Sequence, residues 1–154
     1  LCISILGCEK KATRATNVSI QYQDGSVWIW NNTEKTMYWR DSVWYENEPI
    51  AIEEPSEIYY IHNGQRINIA IDIVISDRKI ESTQKKCIGS FSGGDSIYIK
   101  YVWYAWVKTL ILDPPWAYYE YEWRRGEART NFIVDGDMLV MFNYNETFIV
   151  MKKD

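Results

Sequence analysis

Cysteine is nearly missing from the body of this 154-residue chain: Cys2 and Cys8 lie in the first ten residues and leave Cys87 alone. No disulfide framework can be drawn from that. There is one histidine, His62, with no second His and no Cys pair at ligand spacing, so a His/Cys metal site is not expected. Good helix formers are scarce, with seven Ala and five Leu, which argues against a helical bundle. No run approaches the roughly 18 consecutive apolar residues of a membrane-crossing helix, so no membrane span is expected. Basic residues form only short clusters (Lys10-Lys11, Lys85-Lys86, Arg124-Arg125, Lys152-Lys153) in a chain with net charge −4, so nucleic acid is not an expected partner. The Gly-x-Ser-x-Gly elbow, a Gly-rich phosphate loop and a Cys and His placed to pair are all missing. Neither catalysis nor a cofactor is expected, and the chain reads as a binder.

What is abundant is strand-forming. Twenty Ile and nine Val, with Thr, Phe, Trp and Tyr, make 61 of the 154 residues. Eight Trp and twelve Tyr exceed ordinary core needs, because each buried indole N–H or phenol O–H requires a partner. They imply an aromatic-lined pocket or interface, or else a Trp-rich core. Period-2 alternation and Gly, Asn, Asp or Pro punctuation predict strands over residues 27–30, 36–45, 57–62, 66–76, 85–91, 96–108, 116–124, 129–134, 137–144 and 146–152, with a strand or turn at 18–23. Asn63-Gly64 reads as a hairpin turn, residues 92–95 as another, Pro114-Pro115 as a break and residues 46–55 as a loop. In residues 66–76, Ile67, Ile69, Ile71, Ile73 and Ile75 share one face. Adjacent hairpins without a crossover helix predict an all-β, antiparallel up-and-down barrel of eight strands, with a β-sandwich as the alternative.

The domain is expected over residues 17–154. Residues 1–16 read as the remnant of a signal peptide followed by a polar tether. Two forms fit the apolar start: a cleaved secretory signal, or the lipoprotein box Ile5-Leu6-Gly7-Cys8 with Cys8 lipidated. Asn17, Asn31 and Asn145 head three glycosylation sequons, although Asn31-Asn32-Thr33 also suits turn chemistry.

Residues 37–45 carry the most informative pattern. A regular strand would set Asp41 on one face with Met37, Trp39, Val43 and Tyr45, a costly place for a carboxylate without a partner. That partner is a basic side chain such as Arg40 or Arg66, or a cationic ligand. A carboxylate walled by Trp and Tyr faces suits an ammonium group, each good face adding about 0.5 to 2 kcal/mol. Farther on, Tyr119, Tyr121 and Trp123 alternate with Tyr118, Glu120, Glu122 and Arg124. In residues 97–108, Lys100 and Lys108 mark an outer face and leave Ile99, Tyr101, Trp103 and Val107 inside.

These segments resemble the tick salivary lipocalins, the tick histamine-binding proteins. The likeness rests on Tyr38-x-x-Asp41-x-Val43-Trp44, on Trp28 with Asn32-Thr33-Glu34-Lys35, on Cys87-Ile88-Gly89, on Tyr119-x-Tyr121 and on residues 143–150, in that order. About forty residues separate Tyr45 from Cys87, Phe148 stands where many members carry a cysteine, and the family's C-terminal helix and final cysteines are lacking, so either a truncated chain or a divergent member with altered ligand choice is expected. The resemblance implies a secreted, monomeric lipocalin-like barrel that sequesters a small host mediator, a biogenic amine such as histamine or serotonin, as a salivary means of evading host defence. Asp41, with Glu120 or Glu122, would neutralise the amine, while Tyr38, Trp44, Tyr119, Tyr121 and Trp123 would wall it. A lipid mediator is the variant expected if Asp41 is exposed. The alternative is a bacterial outer-surface lipoprotein anchored through Cys8, its β-domain used in adhesion, assembly or immunity.

Overall fold

The computed structural model describes residues 20–45 and 47–154; the leader, Cys8 and the Asn17 sequon lie outside them. Fully buried Val27, Ile29 and Asn31 alternate with partly buried Trp28 and Trp30, which makes Gly25–Asn32 (β1) a strand with one core face. Met37–Tyr38 (β2), Ser42–Tyr45 (β3), Glu48–Ala51 (β4), Glu57–His62 (β5) and Gln65–Ile69 (β6) follow. After the helical turn Ile71–Val74 (α1) come Lys79–Ile80 (β7), Lys85–Phe91 (β8), Ser96–Asp113 (β9), Trp116–Ile133 (β10), Met138–Asn143 (β11) and Phe148–Lys152 (β12). The chain is all-β in class, as its composition implies.

Among the described residues the strands form two four-stranded sheets, β10-β9-β5-β6 and β12-β11-β1-β8, and two ribbons, β2-β7 and β3-β4. Both large sheets feed one core: Ile58, Ile97, Ile99 and Tyr101 from the first, Val27, Ile29, Val140 and Phe142 from the second. No strand pairing among the described residues joins the two sheets edge to edge.

The strictly antiparallel meander is corrected at β1, which pairs in parallel with β11 from Val27 beside Met138 to Asn32 beside Asn143. The cause is a clamp at the start of both strands. Asp135 accepts the Gln23 N–H at 3.1 Å, Asp137 accepts the Ser26 N–H at 2.8 Å, and the Gly136 N–H donates to the Gln23 carbonyl at 2.7 Å. A Cβ at Gly25 would fall 2.1 Å from the Gly136 carbonyl, so only glycine permits this approach. Both strands leave the clamp together and run the same way.

Three local expectations also change. Residues 92–95 do not close a hairpin between β8 and β9; β8 pairs with β1, β9 pairs with β5 and β10, and the loop carries the chain from one sheet to the other. The strand expected over 66–76 ends at Ile69, and the helical turn that follows buries Ile71 and Ile75 while Ile73 faces solvent. The strand expected over 36–45 breaks at residues 39–41, where the Trp39 N–H donates to the Arg78 carbonyl at 2.7 Å and the Arg78 guanidinium donates to the Trp39 carbonyl at 3.0 Å. That break takes Asp41 off the apolar face.

Candidate functional site: a projecting aromatic arm

Strand β5 accompanies β9 only from Ser96 to Lys100, whereas β9 and β10 remain paired to Asp113 opposite Trp116. Among the described residues, 104–113 and 116–125 therefore have strand pairing only with each other. At about 3.3 Å per residue this ribbon is roughly 33 Å long from its foot to the turn.

Register sorts the arm into two faces. Trp106, Lys108, Leu110 and Leu112 stand opposite Trp123, Tyr121, Tyr119 and Ala117 on one face; Val107, Thr109 and Ile111 stand opposite Glu122, Glu120 and Tyr118 on the other. On the first face the Trp106 ring lies 4.9 Å from Trp123 and stacks on Tyr121 at 5.9 Å, centroid to centroid. The Lys108 ammonium sits 4.0 Å over the Tyr119 ring. Leu110, Tyr119 and Tyr121 are about half exposed and Leu112 is 72% exposed. A depression is lined by Thr109, Glu120, Glu122 and Arg124 of the opposite face together with Tyr121, with the Glu122 carboxylate 2.8 Å from the Arg124 guanidinium.

The foot of the arm is anchored. Val43 and Ile52, from the β3-β4 ribbon and the residue after it, bury themselves with Val102 against Tyr104 and Trp123. The Ser56 hydroxyl accepts the Val102 N–H at 2.8 Å and donates to the Val102 carbonyl at 3.2 Å. Arg125 donates to the Glu54 carbonyl at 3.1 Å and pairs with Glu127 at 2.9 Å. The hydrogen bond from Arg129, reinforced by Arg125, holds the Glu127 carboxyl below its ordinary range. On the core side the Trp103 indole occupies the space beside Gly126, where a Cβ would fall 2.2 Å from the ring.

Of the residues singled out in the sequence, Tyr119, Tyr121 and Trp123 lie on the aromatic face, and Glu120 and Glu122 on the opposite one. Tyr38 is partly exposed beneath the Arg40 guanidinium, 4.0 Å from its ring centre. The Asp41 side chain is 71% exposed and 3.9 Å from Arg78, and Trp44 is exposed on β3. Among the described residues no ring contact or ion pair joins Tyr38, Asp41 or Trp44 to residues 119–123. The structure adds Trp106, Leu110 and Leu112 to the surface. Their signal was the two-residue turn at Pro114-Pro115, because a hairpin closed there sets Trp106 opposite Trp123.

Asn31 is fully buried. Its amide donates to the carbonyls of Lys35 at 2.7 Å and Ile80 at 2.9 Å. Asn145 is exposed in the turn before β12, and Cys87 is exposed with a free thiol. Compared with known proteins, the chain matches no family model, no curated protein and no solved structure.

Proposed function

We propose that this protein works by binding, without catalysis, and that its ligand is an amphipathic molecule with a long apolar body, held against the aromatic face of the arm. One observation carries the reading: Trp106, Tyr121, Tyr119, Leu110 and Leu112 share one largely apolar face of a ribbon whose strands, among the described residues, pair only with each other. All five are exposed on this face, and Trp116 and Tyr118 are exposed on the other, far denser than scattered surface apolar groups. The narrower form of the proposal, a tick salivary lipocalin sequestering histamine or serotonin, calls for an eight-stranded barrel around Asp41. The described strands lie in separate sheets and Asp41 faces solvent, so the geometry favours the apolar ligand over the amine.

The test is a tryptophan-fluorescence titration of the full chain with monomeric lysophosphatidylcholine, beside histamine and serotonin. Saturable lipid binding that weakens about tenfold or more in a Trp106→Ser/Tyr121→Ser variant is expected, roughly 1.4 kcal/mol of lost contact. Unchanged lipid affinity in that variant overturns the proposal. So does saturable amine binding that Asp41→Asn abolishes.

A further inference from the structure

We infer that the β3-β4 ribbon, with residues 52–56 after it, is a flap over the foot of the arm that opens while the main core stays folded. Opening lengthens the aromatic face toward the body by Val102 and Tyr104 and uncovers the inner side of Trp123. This rests on the binding role proposed for the arm and adds a means of regulating it.

The flap is fixed at both ends and held lightly between them. Before it, Trp39 has no exposed surface and belongs to the main core; after it, Ile58 is 1% exposed in that same core. Between these anchors β3 and β4 pair only with each other among the described residues, and the Ile52 N–H donates to the Asp41 carbonyl at 2.9 Å. The segment thus closes on itself and moves as a unit. Every residue of β4 is exposed. A two-stranded ribbon is marginal by itself, so its place is set by what lies beneath it.

Beneath it, Val43 and Ile52 pack on Val102 in a small cluster that shares no described residue with the main core. A satellite cluster of this kind can be exposed without disturbing the larger one, at a lower cost than global unfolding. The remaining ties are few: the Ser56 hydroxyl on the two backbone groups of Val102, and the Glu54 carbonyl on Arg125. The closed form also carries a penalty. Trp123 packs against the cluster, and its indole N–H is buried with no acceptor among the described residues. A buried donor left unpaired is destabilising, and lifting the flap from the ring lets water reach it.

Register gives the opening its consequence. Val102 and Tyr104 stand on the same face of β9 as Trp106, Lys108 and Leu110, and Trp123 stands opposite Trp106 on that face. The flap therefore covers the body end of a surface whose far end is exposed. A ligand that extends past Trp106 fits the open form, so its apparent affinity scales with the fraction of molecules that are open.

The Val102 amide reports the state directly, because its N–H reaches the Ser56 hydroxyl only when the flap is closed. Hydrogen exchange of the full chain is read residue by residue, with the amides of β1 and β11, central in their sheet, as the measure of global unfolding. Exchange at Val102 about tenfold or more faster than at β1 and β11 is expected. Ile52→Ala and Val43→Ala, each removing a contact under the flap, should raise the Val102 rate further and leave β1 and β11 near the parent's rates. Both variants should also bind monomeric lysophosphatidylcholine severalfold more tightly than the parent. Val102 exchanging no faster than β1 and β11 overturns the inference, because the flap then opens only with the whole molecule. Fast Val102 exchange with lipid affinity unchanged in both variants overturns it too, while the arm's binding role stands. If the parent binds no lipid, or binds it without Trp106 and Tyr121, the binding role fails and takes the flap's regulatory part with it.

Discussion

At Asn31, a side chain with no exposed surface ties the end of β1 to two later segments. Its amide reaches Lys35 and Ile80, and its oxygen accepts the Thr33 hydroxyl at 2.6 Å. Replacement by Leu would remove this donor from the buried Ile80 carbonyl, while the Lys35 carbonyl keeps the Thr33 hydroxyl at 2.9 Å, so Asn31→Leu is expected to lower unfolding free energy by about 1 to 3 kcal/mol in urea titration. Tyr101 is a buried residue of another kind. Burial holds its phenol well above the ordinary range, and the Tyr38 N–H donated to its oxygen at 3.1 Å opposes only part of that rise. A folded-state pKa above the unfolded value of about 10 means the stabilisation is complete below pH ~10 and is lost as pH climbs toward the folded value. Melting temperature should therefore fall above pH 10 in the parent and fall less steeply in Tyr101→Phe, read by thermal unfolding across that range.

Among the elements, the junction of arm and body depends on Gly126. The Trp103 ring that covers it also stacks on Tyr101 at 5.2 Å and meets Phe142 edge-on at 5.6 Å, so it has nowhere to retreat. A strand glycine changed to Val ordinarily gains propensity. Here Gly126→Val should instead destabilise by about 1 to 3 kcal/mol, because the added carbons enter space the indole holds. A stable Gly126→Val protein would mean that Trp103 packs elsewhere. Alternation made most of the strands legible in the sequence, but it misled between residues 66 and 76. Positions 67, 71 and 75 are four apart, a spacing that satisfies both the strand period of two and the helical period near 3.6. Burial of Ile71 and Ile75 with exposure of Ile73 is the helical outcome. The 36–45 segment failed for a different reason. Its break at residues 39–41 is made by Arg78, almost forty residues away, and no local pattern announces that.

For the molecule as a whole, composition sufficed for the all-β class, because a chain so rich in β-branched and aromatic residues has few other ways to bury them. Sheet order was not legible. The parallel pairing of β1 with β11 depends on a clamp between residues more than a hundred positions apart, and nothing near Gly25 reveals it. The candidate site was half legible: the split of Tyr119, Tyr121 and Trp123 from Glu120 and Glu122 follows from alternation alone. Whether that split faces a core or the outside could not be read, since a half-buried strand and a free hairpin alternate alike. The pairing of Asp113 with Trp116 about a two-residue turn has one more consequence, for how the arm tolerates changes in length. Length obeys parity there. One residue added to either strand exchanges the faces beyond it, bringing Glu120 or Thr109 to the side of Leu110, whereas two added to each strand lengthen the arm by about 7 Å and return every side chain to its own side. Even-numbered, matched insertions are the ones this arm can absorb.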